Sequence, residues 1–302
     1  MILCVGEILV DMIGAQTESG YVYERKAGGA PFNVACGIKK FGGKAMFAGS
    51  VGDDLLGEFL TDFAKSRNFD GLIIDKKSDK NTTLAFVQLD GEGERSFCFY
   101  RKNTADCFLP CIKDEELKKA SIVHIGSLML SDDCGLEYAL NTADRAHAQN
   151  KLVSFDVNYR TDIFRDASVA KERYKKIIEK SDILKFSEDE IEIFGEDYIN
   201  GLYGKLICVS LGSNGSEWRF GGKCNKVKTI RVTPIDTTGA GDAFYAGVLK
   251  QLDGVHSDGW TEDFLNGVFT VANICGALNT LGKGAIDCLP DASAINAVLN
   301  KI

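Results

Sequence analysis

The sequence predicts an α/β protein: a doubly wound, mostly parallel sheet carrying a small β-sheet lid. Three observations point there. From residue 122 onward, short apolar runs alternate with amphipathic stretches long enough for helices, the pattern of a parallel sheet covered on both faces. Residues 82–101 interrupt that pattern with two β-rich runs joined by Asp90-Gly-Glu-Gly-Glu-Arg95, a hairpin signal inside an α/β chain. Late in the chain, Asp236-Thr-Thr-Gly-Ala-Gly-Asp242 reads as a glycine-containing turn that opens a helix, where such a sheet gathers its ligands.

The bulk numbers bound the rest. A chain of 302 residues, 45% apolar and 26% charged, suits one α/β domain over 1–302, with the lid at about 12–24 and 82–101 inserted in it. Lys+Arg 35 against Asp+Glu 43 leaves a net charge of -8 without a dense basic stretch, so no nucleic acid partner is expected. The start of the chain runs into a strand pattern with no basic leader, and no stretch nears the roughly 18 apolar residues of a membrane span. A cytoplasmic protein with no membrane partner is the expectation. The ten cysteines are scattered, and Cys4, Cys36, Cys208 and Cys275 sit in apolar runs as buried small hydrophobes. His124, His147 and His256 show no triad or metal spacing and receive no role.

In chain order, residues 2–5 read as a short buried strand, followed by Gly6-Glu-Ile-Leu-Val-Asp11. A glycine-rich loop at Gly28-Gly29-Ala30-Pro31-Phe32-Asn33 leads to a helix over 34–41, then a strand over 45–51. Asp53 is positioned to cap the next helix, whose Leu55, Leu56, Phe59, Leu60 and Phe63 fall on one face. A strand over 72–74 follows. The lid hairpin is apolar on both faces, and a run at 21–23 supplies a further lid strand. Strands at 122–125, 152–156, 183–186 and 206–211 then alternate with helices at 135–148, 169–180 and a short one from Ser187. Long helices close the chain at 239–252, 261–281 and 292–299.

Several groups carry chemistry. In the 236–242 turn, Gly239 and Gly241 permit tight backbone angles, and the free N–H groups of a helix start hold anions. Asp242 beside them is either a helix-stabilising charge or a general base for a hydroxyl whose phosphoryl partner those N–H groups hold. Asn33 is either an N-cap or a ligand-facing amide, and Asp11 either a turn residue or a hydroxyl acceptor. Together a carboxylate and an amide would recognise a polyol. In Asp156-Val-Asn158-Tyr-Arg160, at a strand end, the guanidinium suits a phosphate or a surface ion pair. Ser187 and Glu190 have capping-box spacing, and Glu190 would also hold Mg²⁺ through water. Ser210-Leu-Gly212-Ser-Asn-Gly215 forms a plain turn or a ledge for a base and ribose.

Taken jointly, Gly28-Gly-Ala-Pro-Phe-Asn33 and Asp236-Thr-Thr-Gly-Ala-Gly-Asp242 with Ala246-Gly247 resemble the two signatures of the ribokinase-like (PfkB) carbohydrate kinases. The resemblance spans nearly the whole chain. It implies ATP-dependent phosphorylation of a sugar hydroxyl, with Asp242 as base and the N–H groups of Gly239, Ala240 and Gly241 as the anion hole. It also implies sugar contacts at Asp11, Gly28, Gly29, Asn33 and Arg101, with Asn158 and Arg160 near the transferring phosphates. Asn158, Ser187, Ser210, Gly212, Gly215 and Asn273 fall on nucleotide positions, and Glu190 on a water-mediated Mg²⁺ position. Many members carry Asn where this chain has Ser187. Activation by K⁺ near Asp236 and Thr238 occurs in relatives and the sequence leaves it open, while the two-sided apolar lid itself suggests a homodimer by lid–lid contact. Within the family the motifs look most like fructokinases, with 2-keto-3-deoxygluconate kinases close by. Arg101 meets a hydroxyl in the first case and a carboxylate in the second. A nucleoside kinase and a non-catalytic sugar- or nucleotide-binding relative remain the rival readings.

Overall fold

The computed structural model describes residues 1–18, 20–89, 95–160, 163–164 and 166–301. Strands β1 (Ile2–Val5), β2 (Leu9–Thr17) and β3 (Gly20–Gly28) come first, then helix α1 (Ala30–Lys40), β4 (Ala45–Gly52), α2 (Leu55–Ser66) and β5 (Gly71–Lys77). The hairpin β6 (Leu84–Leu89) and β7 (Arg95–Tyr100) precedes α3 (Asp114–Lys119), β8 (Ile122–Ile125), α4 (Asp133–Ala148) and β9 (Leu152–Asp156). Next come α5 (Ala167–Lys180), β10 (Ile183–Ser187), α6 (Glu188–Phe194) and α7 (Glu196–Asn200). The chain ends with β11 (Leu206–Ser210), β12 (Ser216–Phe220), β13 (Lys223–Val227), α8 (Ala240–Leu252), α9 (Glu262–Asn279) and α10 (Ala292–Leu299).

Two sheets result. The larger has nine strands in the order β13-β12-β11-β10-β9-β8-β1-β4-β5, parallel except where β12 pairs with β11 and β13. Alternation along β1 sends Ile2 and Cys4 to one face and Leu3 and Val5 to the other. On the first face α1, α2, α8, α9 and α10 bury Phe32, Leu60, Tyr245 and Phe269; on the second α4 and α5 bury Ala139, Phe155, Tyr174 and Ile177. This is the doubly wound α/β fold, with an apolar layer on each side of the sheet. The chain winds outward from β1 to β4 and β5, and in the other direction from β8 to β11. The crevice therefore opens between the carboxyl ends of β1 and β8. The smaller sheet, β3-β2-β6-β7, rises from that crevice, because β2 and β3 begin and end in the body and extend away from it. Residues 90–94 of the expected hairpin turn lie outside the described residues, as do the side chains of Leu89 and Phe97.

Helix α8, which carries Asp242, is held rigidly. A methyl on its Gly247 would come within 2.9 Å of the Ala272 backbone on α9, so the two helices touch almost backbone to backbone. Truncating a large neighbour such as the fully buried Phe269 would cost about 3–5 kcal/mol.

Several local expectations shift. The 28–33 stretch is not a loop: β3 runs to Gly28 and α1 starts at Ala30, because Pro31 is pre-set for a first helical turn. Asn33 therefore lies within the helix instead of capping it. Asp54, one residue after the expected Asp53, caps α2 by accepting from the N–H groups of Leu56 and Gly57. That rotates Leu55 off the apolar face, where it is 80% exposed. The short α3 and α7 have no periodic apolar signal and were invisible in the sequence. The four cysteines expected in the core are buried, and all ten are free thiols. Among the described residues no helix is long and apolar enough to cross a membrane.

Candidate active site

Two cavities meet at the N-terminus of α8. The first, about 330 Å³, lies in the crevice below the small sheet and is lined by Glu7, Asp11, Asn33, Asp156, Asn158, Arg160, Lys185 and Asp242, with Gly29 and Thr237–Thr238. The second, about 630 Å³, lies between β11, the 229–234 segment and helices α8 and α9. It is walled by Ile230, Val232, Phe244 and Ala277, with Ser210, Gly212, Gly215 and Asn273. Thr237 and Gly241 line both.

The shared wall is a built turn. Asp236 accepts from the N–H and hydroxyl of Thr238 at 2.7 and 2.6 Å, and from Gly284 N–H at 2.9 Å. Gly239 then adopts φ 73, and a side chain there would come within 2.5 Å of Ala285, so only glycine fits. The N–H of Ala240 turns back to Thr237 O at 3.2 Å, and Ala243 is the first to close a helical bond, onto Gly239 at 2.8 Å. Of the three N–H groups expected to form the anion hole, that of Ala240 is thus already engaged. Gly241 faces both cavities at the positive end of the helix dipole.

Asp242 projects from the first turn of α8 into the first cavity, where Asn33 Nδ2 donates to its Oδ2 at 2.8 Å. Desolvation lifts its pKa above the ordinary carboxylate range, and the Asn33 hydrogen bond, Lys185 and Arg160 pull against that. Asp11 stands on β2, its carboxylate lying over Gly28. A methyl on Gly28 would overlap it at 2.0 Å, which explains the glycine that ends β3. Burial, with the charge of Asp242 adding to it, pushes Asp11 up to about 7. Lys185 on β10 grips both oxygens of Asp156 at 2.8 Å, and both side chains are more than nine-tenths buried. Burial opposes the lysine charge, but the carboxylates of Asp156, Glu190 and Asp242 outweigh it and raise its pKa.

The structure brings Asp11, Gly29, Asn33, Arg160, Gly239, Gly241 and Asp242 together in the first cavity. Ala240, Ser210, Gly212, Gly215 and Asn273 come together around the second. Asn273 spends its amide N–H groups on the carbonyls of Val227 and Lys228, so it shapes that wall. Asn158, expected with Arg160 near the transferring phosphates, lines the first cavity together with Arg160, at φ 36, a left-handed backbone that turns the chain away after β9. Ser187 and Glu190 line neither cavity. They close a capping box on α6, and the second Glu190 oxygen accepts from Tyr159 N–H at 2.6 Å. With both oxygens taken by backbone donors, Glu190 would meet a metal only through water. Among the described residues no group of three or more His, Cys, Asp or Glu is arranged to hold a metal ion directly. Arg101 is buried behind the first cavity, with Nε on Asp106 at 2.5 Å and Nη1 on Ser131.

Sequence reasoning missed Glu7 and Lys185. The available signal was a single charge inside an apolar run, Gly6-Glu7-Ile8 and Leu184-Lys185-Phe186; a buried charge must be paired or face a ligand.

Fold and paired cavities together are those of an ATP-dependent carbohydrate kinase. Residues 1–292 match the pfkB family carbohydrate kinase, and the chain belongs to that family. It is 36% identical to a probable chloroplastic fructokinase of Arabidopsis thaliana, over 99% of this chain and 82% of that one. Among solved structures, the fructokinase of Xylella fastidiosa with bound ATP superposes with a TM-score of 0.91 at 29% identity, covering 99% of this chain and 98% of that one. Fructokinase from Vibrio cholerae, solved with fructose, ADP and a calcium ion and, as a double mutant, with fructose, ADP and a potassium ion, gives a TM-score of 0.86 at 29% identity in both cases, covering 98% of this chain and 97% of that one.

Proposed function

We propose that the protein is a fructokinase, transferring the γ-phosphoryl group of ATP to a primary hydroxyl of fructose. The observation that carries this is the junction of the two cavities at the α8 N-terminus, with Asp242 on the polar side of it. The polar cavity suits a sugar, and the larger apolar one suits an adenine nucleotide.

On this reading Asp11 and Asn33 hold sugar hydroxyls, with Gly28 and Gly29 giving them room. Asp242 orients the primary hydroxyl and takes its proton. Phosphoryl transfer passes through a loose transition state, so positioning and charge neutralisation are the main tasks. The Gly239–Gly241 turn and Arg160 neutralise the transferring phosphate oxygens, and Lys185 fixes Asp156 beside them. Ser210, Gly212, Gly215 and Asn273 frame the base and ribose. Glu190 would meet, through water, a Mg²⁺ carried by the nucleotide, and the backbone beside Asp236 would hold a K⁺, the two ions supplying charge neutralisation. The small sheet, about 12–24 and 82–101, is a lid on a single domain of 1–302. It closes over the sugar and keeps water from the γ-phosphate. Its outer face carries Tyr21, Tyr23, Phe86 and Tyr100 in edge-to-face contacts, partly exposed, and mediates a homodimer. The enzyme works in a soluble, cytoplasmic setting with no nucleic acid or membrane partner.

A coupled ATP-consumption assay over fructose, 2-keto-3-deoxygluconate, ribose, inositol and adenosine, with and without Mg²⁺ and K⁺, tests this. Preference for fructose is expected. ATP binding without turnover on any acceptor would refute it.

A further inference from the structure

A capping box needs one oxygen of its glutamate, yet both oxygens of Glu190 are engaged and the second serves another segment. Oε2 accepts from Ser187 N–H at 2.8 Å, whereas Oε1 accepts from Tyr159 N–H at 2.6 Å, 31 residues earlier in the chain. Tyr159 stands between Asn158 and Arg160, which both line the first cavity, while Glu190 itself is buried and lines neither. Asn158 holds φ 36, a strained backbone that persists only where its surroundings fix it. The ties that fix it converge from β10 and α6. Lys185 Nζ grips Asp156, Lys185 O accepts from Val157 N–H at 3.0 Å, and Glu190 takes Tyr159 N–H. From the β8 side, Ser127 Oγ donates to Asn158 O at 3.3 Å.

We propose that Glu190 is a positioning residue for Arg160: its carboxylate, anchored at the start of α6, holds the 158–160 turn in the strained form that presents Arg160 to the transferring phosphoryl group. A carboxylate accepting from a backbone N–H makes a stronger tie than a neutral acceptor. Burial strengthens it further, since water does not compete for either oxygen. Displacing a catalytic group by about 1 Å costs on the order of 10²-fold in rate, so a guanidinium carried on a strained turn needs such a hold. This role is separate from a water-mediated meeting with Mg²⁺, because it runs through Tyr159 N–H and not through the nucleotide. It rests on the sugar-kinase reading above for the phosphoryl group that Arg160 meets.

The test takes two readouts on the parent, Glu190→Ala and Glu190→Gln: kcat for fructose over a range of Mg²⁺ concentrations, and amide hydrogen exchange of the peptide spanning residues 157–160. Glu190→Ala should lower kcat roughly 10- to 100-fold at saturating Mg²⁺. It should quicken exchange in that peptide roughly tenfold or more, the scale of one lost hydrogen bond to a charged group. Glu190→Gln leaves one acceptor for two donors and should show the same changes, reduced in size. In an Arg160→Met background the Glu190→Ala loss should shrink to within a few fold, because the two residues act as a unit. Ser187→Ala breaks the same capping box from its other side, and should lower the melting temperature without quickening that exchange. Restoration of kcat by added Mg²⁺, an equal fold loss with and without Arg160, or exchange as slow as the parent's in both Glu190 variants would each overturn the proposal. So would equal quickening in Ser187→Ala, since helix stability and not the carboxylate would then hold the turn. A parent silent on every sugar would remove the kinase reading, while the exchange comparison would still decide whether Glu190 holds the turn.

Discussion

Replacing Asp242 by asparagine should separate chemistry from folding. The carboxylate sits in a desolvated cavity that pushes its pKa up, so its charge is a cost to the folded state. An amide of the same shape removes that cost, and its carbonyl can still accept from Asn33, which now donates to Oδ2 at 2.8 Å. The melting temperature should be equal to the parent's or higher. Turnover should collapse: a general base contributes about 10²–10⁴-fold, which at 1.36 kcal/mol per decade is about 3–5 kcal/mol of transition-state stabilisation. ADP release in a coupled assay gives kcat, and titration calorimetry with ATP reports whether the nucleotide cavity survives. A variant within tenfold of parental kcat would refute the assignment of Asp242 as base. A variant that loses activity and also melts early would show a scaffold residue instead.

Other substitutions probe single links. Ser187→Ala should lower stability by about 1 kcal/mol through loss of the α6 cap while leaving the ATP KM unchanged; a rise in that KM would restore a nucleotide role. Asp11 has a folded pKa of about 7, above its ordinary 3.8. The folded protein therefore holds this proton more tightly than the unfolded chain. Its contribution to stability is full below about pH 4 and is lost as pH rises through about 7, by about 1–4 kcal/mol without ligand. Asp11→Asn should flatten that decline in urea unfolding at pH 5 and pH 8; an identical pH trend in the variant would sink the argument. Tyr23→Lys with Tyr100→Lys should convert a dimer to a monomer in light scattering, and a parent that is already monomeric would exclude the lid interface.

The parts of the fold written in alternating apolar runs were legible, and the 236–242 turn announced its own geometry through its glycines. Burial decided the rest. Lys185 is one charge in an apolar strand, and nothing local says that Asp156, on the neighbouring strand, neutralises it. Glu7 is similar: its niche is the space that Gly126, more than a hundred residues away in sequence, leaves for its carboxylate. For Asn33 the sequence left an N-cap and a ligand-facing amide open, and Pro31, by starting α1 ahead of it, leaves only the second. Ser187 and Glu190 went the other way, since their spacing stated the capping box in full and the structure uses both side chains for it. Arg101 could not be placed from sequence, because Asp106 and Ser131, which hold it, lie on separate segments.

The two cavities share a wall only as thick as the Thr237–Gly241 turn, so occupants of both can be one molecule. A sugar tethered to adenosine through a short phosphate chain would thread past Gly241, and each end would supply the effective concentration for the other. Such a bisubstrate compound should bind far more tightly than either half. The tether length giving the tightest binding would serve as a ruler for the path along which the phosphoryl group travels.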